Sequence, residues 1–181
     1  DLGEDRVNFH LNGLNLPVVC LSDVRIETQE GNAQADFIVL SKAKIFIIEV
    51  KNLYGNVRVN QNGEVIRIIP RKNGIEEEGM PNPFTQTKRQ MLIFQNFLAM
   101  NGYYMDFDYL IVMGNPHTAI YFEKDPYPII RYDNLRSYFE TRIDSDCSSA
   151  VFTRLIEIGE FIKSKDKTKE YYAFDMIHKK M

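Results

Sequence analysis

Two carboxylates and a lysine stand at the ends of two neighbouring apolar segments of the chain. Asp36 precedes the run FIVL, and Glu49 and Lys51 follow the run IFII. Carboxylate oxygens are preferred ligands of hard divalent cations such as Mg²⁺, and a lysine can hold an attacking water or a phosphate oxygen. Brought together, the three side chains would have the chemistry for metal-dependent hydrolysis of a phosphodiester.

A hairpin between the two apolar segments would bring these residues together. A tight turn centred on Lys42-Ala43, with two or four loop residues, pairs Leu40 with Ile45. The same register sets Asp36 opposite Glu49, with Cβ atoms about 5 Å apart. Because side chains alternate along a strand, Lys51 then lies on the same face. A loop of three or five residues would shift the register by one and separate them.

Directly opposed carboxylates destabilise a sheet unless something compensates their charge. A bound Mg²⁺ ion is the natural compensation, since it commonly takes one or two carboxylates together with waters and substrate phosphates. The alternative is that the three residues are solvated strand ends that bind nothing, which is the commoner case for an arbitrary hairpin. Here FIVL and IFII are apolar on both faces, which predicts a doubly covered hairpin whose charged end faces a cleft.

The elements around this hairpin follow from the periodicity of the chain. Apolar residues at helical spacing predict a short first helix, and three β-branched runs then predict consecutive strands: PVVCLSDVRIET, AQADFIVLS and AKIFIIEVK. A further hairpin, NVRVNQNGEVIRI, turns at Asn62-Gly63, and we expect it to complete a five-strand meander. The polar segment RKNGIEEEGM is predicted to be a loop.

A second helix is predicted over residues 83–100. Asn82 is a suitable N-cap, a proline follows it, and Gly102 suits the position just past the end. Gln86 and Gln90 share a stripe that becomes apolar further along, which is typical of a helix packed on a sheet with its first turns at a polar site. For either glutamine, a solvated surface position remains an open alternative.

The rest of the chain alternates short strands and helices. DYLIVMG, IYFE and PIIRY are predicted strands, and two helices are predicted from Asn134 and Ser149. We expect one domain over residues 1–163, with residues 164–181 as a tail or the start of a truncated segment. The first residue is Asp rather than Met, which also leaves open a missing upstream segment.

Composition limits the classes of protein that fit. A chain of 181 residues with 44% apolar and 26% charged residues is expected to fold as a globular domain. The two cysteines, Cys20 and Cys147, have neither disulfide-scaffold nor thiolate-site spacing, which favours a reducing, cytoplasmic compartment. No segment has the length of a membrane span or the pattern of a signal peptide, so no membrane association is expected.

Other chemistries lack the necessary residues. The three histidines are isolated from one another, so neither a zinc site nor a histidine-based triad is predicted. The two glycine-rich patterns that bind nucleotide phosphates, G-x-x-x-x-G-K-[ST] and G-x-G-x-x-G, are both absent from the sequence. No nucleotide cofactor is therefore expected. The net charge of −3 requires any nucleic-acid contact to be local, with six candidate residues that are individually ordinary surface charges: Arg58, Arg67, Arg71, Lys72, Lys88 and Arg89.

An ordered set of motifs resembles the signature of the nuclease-related domain (NERD) family, a branch of the PD-(D/E)XK superfamily of nucleases. The motifs, which span roughly residues 3–115, are Gly3-Glu4, Asp36 before the apolar hairpin, Glu49-Val50-Lys51-Asn52 with Gly55, and Asn82-Pro83 with Gln86. The proline that gives the superfamily its name is absent, because Ala35 stands before the aspartate.

The resemblance implies an α/β (α+β) fold with a restriction-endonuclease-like core, a central mixed sheet flanked by helices in the order α-β-β-β-α-β. It implies Mg²⁺, with Mn²⁺ as a substitute, held by Asp36, Glu49 and the carbonyl of Val50, with Lys51 as the catalytic lysine. Two further site residues follow from it, Glu4 and Gln86. For Glu4, an exposed glutamate favoured at a helix start is an equal alternative to a water-mediated metal contact.

Three functions remain open at this point. The first is a metal-dependent nuclease acting on DNA, and the second is a non-catalytic module that kept the fold and binds nucleic acid or a protein. Retention of Asp36, Glu49 and Lys51 favours the nuclease, whereas the acidic balance favours the module. A structural fragment of a larger protein is the third. Oligomeric state, substrate strandedness and the choice between endonuclease and exonuclease are not predicted by the residues.

Overall fold

A computed structural model describes residues 1–168 of the chain and the backbone of residues 177–179. Its helices are α1 (Leu2–Asn12), α2 (Pro83–Met100), α3 (Leu135–Glu140), which follows a 3₁₀ turn, and α4 (Ser149–Lys165). Its strands are β1 (Val19–Thr28), β2 (Gly31–Leu40), β3 (Lys44–Lys51), β4 (Asn56–Val59), β5 (Val65–Arg71), β6 (Gly74–Gly79), β7 (Asp106–Met113), β8 (Ile120–Phe122), β9 (Ile129–Arg131) and β10 (Ile177–Lys179).

The main sheet has the strand order β10-β1-β2-β3-β7-β9. Strands β1, β2 and β3 pair antiparallel, whereas β7 runs parallel to β3 and β9 parallel to β7. Helices cover both faces. The expected mixed sheet flanked by helices, consistent with a restriction-endonuclease-like core, is therefore confirmed.

The main sheet separates two apolar layers. The α2–α4 layer lies between the sheet and helices α2 and α4, and its sheet residues include Ile38, Leu40, Ile45 and Ile47. The α1–α3 layer lies on the opposite face, where α1 and α3 pack on residues such as Phe37. The central hairpin is thus covered on both sides, as its uninterrupted apolar runs predict.

The predicted five-strand meander is wrong. After Lys51 the chain leaves the main sheet, and β4 joins a second sheet of order β6-β5-β4-β8. The edge of β3 that β4 was expected to occupy is taken by β7, whose second half, Leu-Ile-Val-Met, is buried and apolar and suits a central parallel position. The Asn62-Gly63 turn itself is confirmed, because it joins β4 to β5.

The predicted loop RKNGIEEEGM is also wrong, because it contains the end of β5 and all of β6. Arg71 pairs with Gly74 across a two-residue turn, and Gly74 has a φ of 131°. Every residue of β6 is exposed, so the segment has none of the apolar alternation by which strands are recognised. The available signal was the dipeptide Asn73-Gly74.

Helix α2 confirms the predicted bounds of residues 83–100. The side chain of Asn82 accepts hydrogen bonds from the N–H groups of Phe84 and Thr85, and Gly102 follows the end with a φ of 84°. In the described part of the chain, no helix combines the length and apolarity needed to cross a membrane.

The expected tail falls partly within the described residues. Helix α4 ends at Lys165, and β10 pairs antiparallel with β1 through Val19, Cys20 and Leu21. Residues 169–176 and 180–181 lie outside the described part, and the domain boundary at residue 163 stays a prediction.

Candidate active site

The two carboxylates meet at the end of the β2–β3 hairpin. The register Leu40↔Ile45 continues to Phe37↔Ile48, as the turn predicts, and the next positions are Asp36 and Glu49. Asp36 Oδ2 accepts a hydrogen bond of 2.7 Å from the N–H of Val50. The ladder ends here, and the aspartate side chain takes the place of a backbone acceptor.

The ammonium group of Lys51 lies beside these carboxylates. Its Nζ is 3.7 Å from Oε1 of Glu49, and the two side chains are 29% and 31% exposed. The backbone of Lys51 is fixed because its carbonyl accepts from the N–H of Gly114 at 2.8 Å. The predicted grouping of two carboxylates and one lysine is therefore present.

The carboxylates open onto a cleft of about 310 Å³ between the sheet and α2. Its lining residues are Gln34, Asp36, Glu49, Gln86, Thr87 and Gln90. Gln90 is anchored, since its Oε1 accepts from the N–H of Gln34 at 2.8 Å. Gln86 is exposed but borders the same cleft as Asp36, as expected for a helix whose first turns reach the site.

Glu4 approaches the carboxylates from the opposite face of the sheet. Burial raises its pKa, and the negative charges of Asp36 and Asp23 raise it further. The helix that bears Glu4 is seated very closely, because a Cβ built on Gly114 would lie 2.6 Å from the Cα of Gly3. Asp1 caps this helix by accepting from the N–H groups of Gly3 and Glu4.

Burial and mutual repulsion dominate the electrostatics of the pair. Burial first, and then the charge of Glu49, raises the pKa of Asp36 to about 7, although the Val50 N–H opposes the shift. Burial also raises the pKa of Glu49, against the attraction of Lys51. The pair therefore resists holding two negative charges without a further cation.

Comparison with known families fits this geometry. The family model of the nuclease-related domain (NERD) matches residues 1–114 of the 181. The chain belongs to the nuclease-related domain family. No curated protein and no solved structure matches it.

Within this NERD-family chain, Asp36 and Glu49 are the carboxylates of the cleft that could hold a metal ion. Among the described residues, no three side chains of His, Cys, Asp or Glu are grouped to hold a metal ion. A cation at Asp36 and Glu49 would therefore need backbone, water or substrate oxygens as well. Such an all-oxygen set fits Mg²⁺ or Mn²⁺ and does not fit zinc.

The candidate phosphate-binding residues divide into two groups. The arginines of the second sheet are paired with the glutamates of β6, in the pairs Arg58–Glu77, Arg67–Glu78 and Arg71–Glu76. Lys88 and Arg89 are exposed on α2, the helix that borders the cleft, and Lys72 is exposed in the β5–β6 turn. A role for any of them in binding nucleic acid stays a prediction.

Three residues of the candidate site were not predicted from the sequence. Gln34 and Thr87 border the cleft, and Asp23 lies close enough to Glu4 to affect its pKa. Thr87 falls one residue from Gln86 and is buried, with its hydroxyl donating to the carbonyl of Pro83. Asp23 had no distinguishing signal, because an aspartate in a strand pattern is usually solvated.

Proposed function

We propose that this protein is a Mg²⁺-dependent nuclease that hydrolyses phosphodiester bonds of DNA, with Mn²⁺ as a substitute ion. The main support is the pair of opposed, half-buried carboxylates, where burial first and then the charge of Glu49 raises the pKa of Asp36 to about 7. Such a pair destabilises the fold when no cation is bound, because both charges are partly buried. The same two carboxylates are suitable ligands for a hard divalent cation. Membership of the NERD family agrees with this chemistry.

Asp36 and Glu49 would hold the ion, together with the carbonyl of Val50. The N–H of Val50 points toward Asp36, and the N–H and C=O of one residue in a strand share an edge. The Val50 carbonyl therefore belongs to the edge at which both carboxylates lie. The set offers three protein oxygens and leaves positions for water and a phosphate oxygen.

The ion would acidify the attacking water and neutralise charge on the scissile phosphate. Lys51, 3.7 Å from Glu49, is placed to donate a hydrogen bond to that water or to a phosphate oxygen. The amide of Gln86 borders the same cleft and can orient either group. Glu4 can accept a hydrogen bond from a water beside Asp36.

The competing function is a non-catalytic module that uses the fold to bind nucleic acid or a protein. Its best support is the acidic balance of the chain and the pairing of three arginines of the second sheet with glutamates. A binding module has no use for two opposed carboxylates, however. The nuclease function is therefore the stronger proposal.

The decisive experiment measures cleavage of several DNA forms with Mg²⁺ or Mn²⁺. Asp36→Asn and Glu49→Gln keep the shape of each side chain and remove its charge, so we expect both to abolish cleavage. Glu157→Gln, an exposed position on α4 paired with Arg154, is the matched control and should retain full activity. Equal cleavage by the wild type and Glu49→Gln would identify a contaminant and favour the binding module.

A further inference from the structure

Strand β1 contains a backbone distortion at Asp23. Its φ of 51° lies in the left-handed region, and it is the one residue other than glycine with a positive φ in the described part of the chain. This conformation is unfavourable for an ordinary residue, and aspartate, asparagine and glycine tolerate it best. A strained position within a strand persists only when the surrounding structure enforces it.

The distortion interrupts the β1–β2 ladder opposite Asp36. Ser22 pairs with Phe37 and Val24 with Ala35, and the rung between them, Asp23 with Asp36, is missing. The register is unchanged on either side, so no residue has been inserted. A single rung is therefore displaced from the sheet, and it contains the aspartate of the candidate site.

The side-chain alternation of β1 is reset at this rung. Val19 and Leu21 belong to the α2–α4 layer. With regular alternation, the side chains of Asp23 and Arg25 would be the next to face that layer. Instead Val24 and Ile26 lie in it. The left-handed residue is the point at which the face of the strand changes.

Strand β2 shows the matching reset. Ile38 and Leu40 belong to the α2–α4 layer, so regular alternation would place Asp36 in it and turn Ala35 away. In the structure Ala33 and Ala35 both lie in that layer. The face of β2 thus changes between Ala35 and Ile38, and the Asp36 carboxylate in this irregular stretch accepts the Val50 N–H.

We propose that Asp23 is a positioning residue, whose left-handed backbone displaces the Asp23–Asp36 rung and so turns the Asp36 carboxylate toward the N–H of Val50. The requirement is for the backbone conformation and not for the charge of Asp23. The placement of Asp36 is independent of catalysis, whereas its consequence for metal binding rests on the proposed function.

The segment after α4 supports the distortion from the other edge of β1. The hydroxyl of Thr168 lies 3.1 Å from the carbonyl oxygen of Asp23. Asp166 Oδ1 accepts a hydrogen bond of 3.0 Å from the N–H of Arg25, and the N–H of Lys167 donates to the carbonyl of Arg25 at 2.8 Å. These contacts at Asp23 and Arg25 hold β1 in place at the strained residue and just beyond it.

The test compares variants that differ in their tolerance of the left-handed conformation. Asp23→Gly and Asp23→Asn adopt it readily, whereas the β-branched Asp23→Val does not. The first measurement is hydrogen exchange of the Val50 amide by NMR, without metal, because that amide donates to Asp36. We expect protection to be kept in Asp23→Gly and Asp23→Asn and to fall roughly tenfold or more in Asp23→Val, as in Asp36→Ala.

The second measurement is the rise in Tm caused by Mg²⁺. Across the same variants, this rise should be large where the Val50 amide is protected from exchange and small where it is not. If Asp23→Val does not fold, Asp23→Ala replaces it. The Val50 amide should again be less protected from exchange in Asp23→Ala than in Asp23→Gly. Wild-type protection of Val50 in the folded valine or alanine variant would overturn the proposal, as would loss of protection in Asp23→Gly. Absence of any Mg²⁺ effect in the wild type would instead contradict the proposed function, and the amide comparison would still decide the role of Asp23.

Discussion

Asp36 has an unusual position for a carboxylate, since it accepts a backbone N–H on one side and meets a second carboxylate on the other. Burial and Glu49 raise its pKa from 3.8 to about 7. Between these values the folded protein retains a proton that the unfolded chain has lost. The contribution of this group to stability is therefore present at acid pH and is lost as the pH rises through about 7.

This titration predicts opposite effects of pH on the protein with and without metal. Without metal, the free energy of unfolding should fall as the pH rises from about 4 to about 7, while the rise in Tm caused by Mg²⁺ should grow, because the ion requires deprotonated ligands. Thermal melts across this range, with and without Mg²⁺, measure both. Asp36→Asn should flatten both trends, and an unchanged pH dependence in that variant would contradict the assigned pKa.

Lys51 separates metal binding from catalysis. Its ammonium neighbours Glu49 without being a possible metal ligand, so Lys51→Ala should reduce cleavage by about 10²-fold or more while keeping most of the Mg²⁺-induced rise in Tm. Glu49→Ala should lose both, and without metal it should be as stable as the wild type or slightly more stable. Parallel nuclease assays and thermal melts measure this difference. Equal loss of the metal effect in Lys51→Ala would show that the lysine mainly holds the site together.

The sequence predicts the positions of the site residues only where the length of a turn fixes the strand register. The register of Asp36 and Glu49 follows from the Lys42-Ala43 turn, because one loop length fixes every later pair. The displaced rung at Asp23 does not follow from the turn. It depends on which side chains of β1 and β2 pack against α2 and α4 in the α2–α4 layer.

Between elements, the contact of α1 with the end of β7 requires glycine. A Cβ on Gly114 would lie 2.6 Å from Gly3 Cα, and backbone at this distance cannot yield without moving the helix that bears Glu4. Gly114→Ala should therefore destabilise the protein by about 1–3 kcal/mol. Urea denaturation measures the change.

Gly79→Ala is the matched control, because a Cβ there would meet nothing within 4 Å. Its stability should be unchanged or slightly raised, as expected when alanine replaces an unstrained glycine. A Gly114→Ala variant as stable as Gly79→Ala would mean that α1 can shift at no cost.

The elements themselves were predictable where packing leaves a periodic pattern. Helix α2 has an N-cap, a proline and a final glycine that agree on its ends, and β1, β2 and β3 are long apolar runs. Strand β6 was not predictable, because an exposed edge strand buries nothing and shows no alternation. The order of strands was also not predictable, since the competition between β4 and β7 for one edge of β3 is decided by long-range packing.

For the molecule as a whole, the region matched by the family model is not a complete core. Helix α4 buries Phe152, Leu155, Ile158 and Ile162 in the α2–α4 layer, and α3 buries Leu135 and Phe139 in the other layer. Each such side chain contributes about 1.5–3 kcal/mol on burial, so their sum rivals the net stability of a typical domain, about 5–15 kcal/mol. Both lie beyond residue 114.

A chain of residues 1–114 should therefore fail to unfold cooperatively, whereas residues 1–168 should do so. Circular dichroism melts and binding of a hydrophobic dye distinguish a packed domain from a loose one. A sharp melt of the shorter chain would show that its own strands and α2 suffice, and that α3 and α4 are additions to a self-sufficient core.

The exposed edge strand β6 has a consequence for behaviour at high concentration. An unpaired strand edge is a template for joining another molecule, and proteins commonly blunt it with charge. Glu76, Glu77 and Glu78 stand in this position, and the hydrogen bonds from Arg58 lower the pKa of Glu77. Its charge therefore persists into acid solution, where ordinary glutamates are neutral. The glutamates that form ion pairs with the arginines of the second sheet thus also oppose edge-to-edge aggregation of the protein.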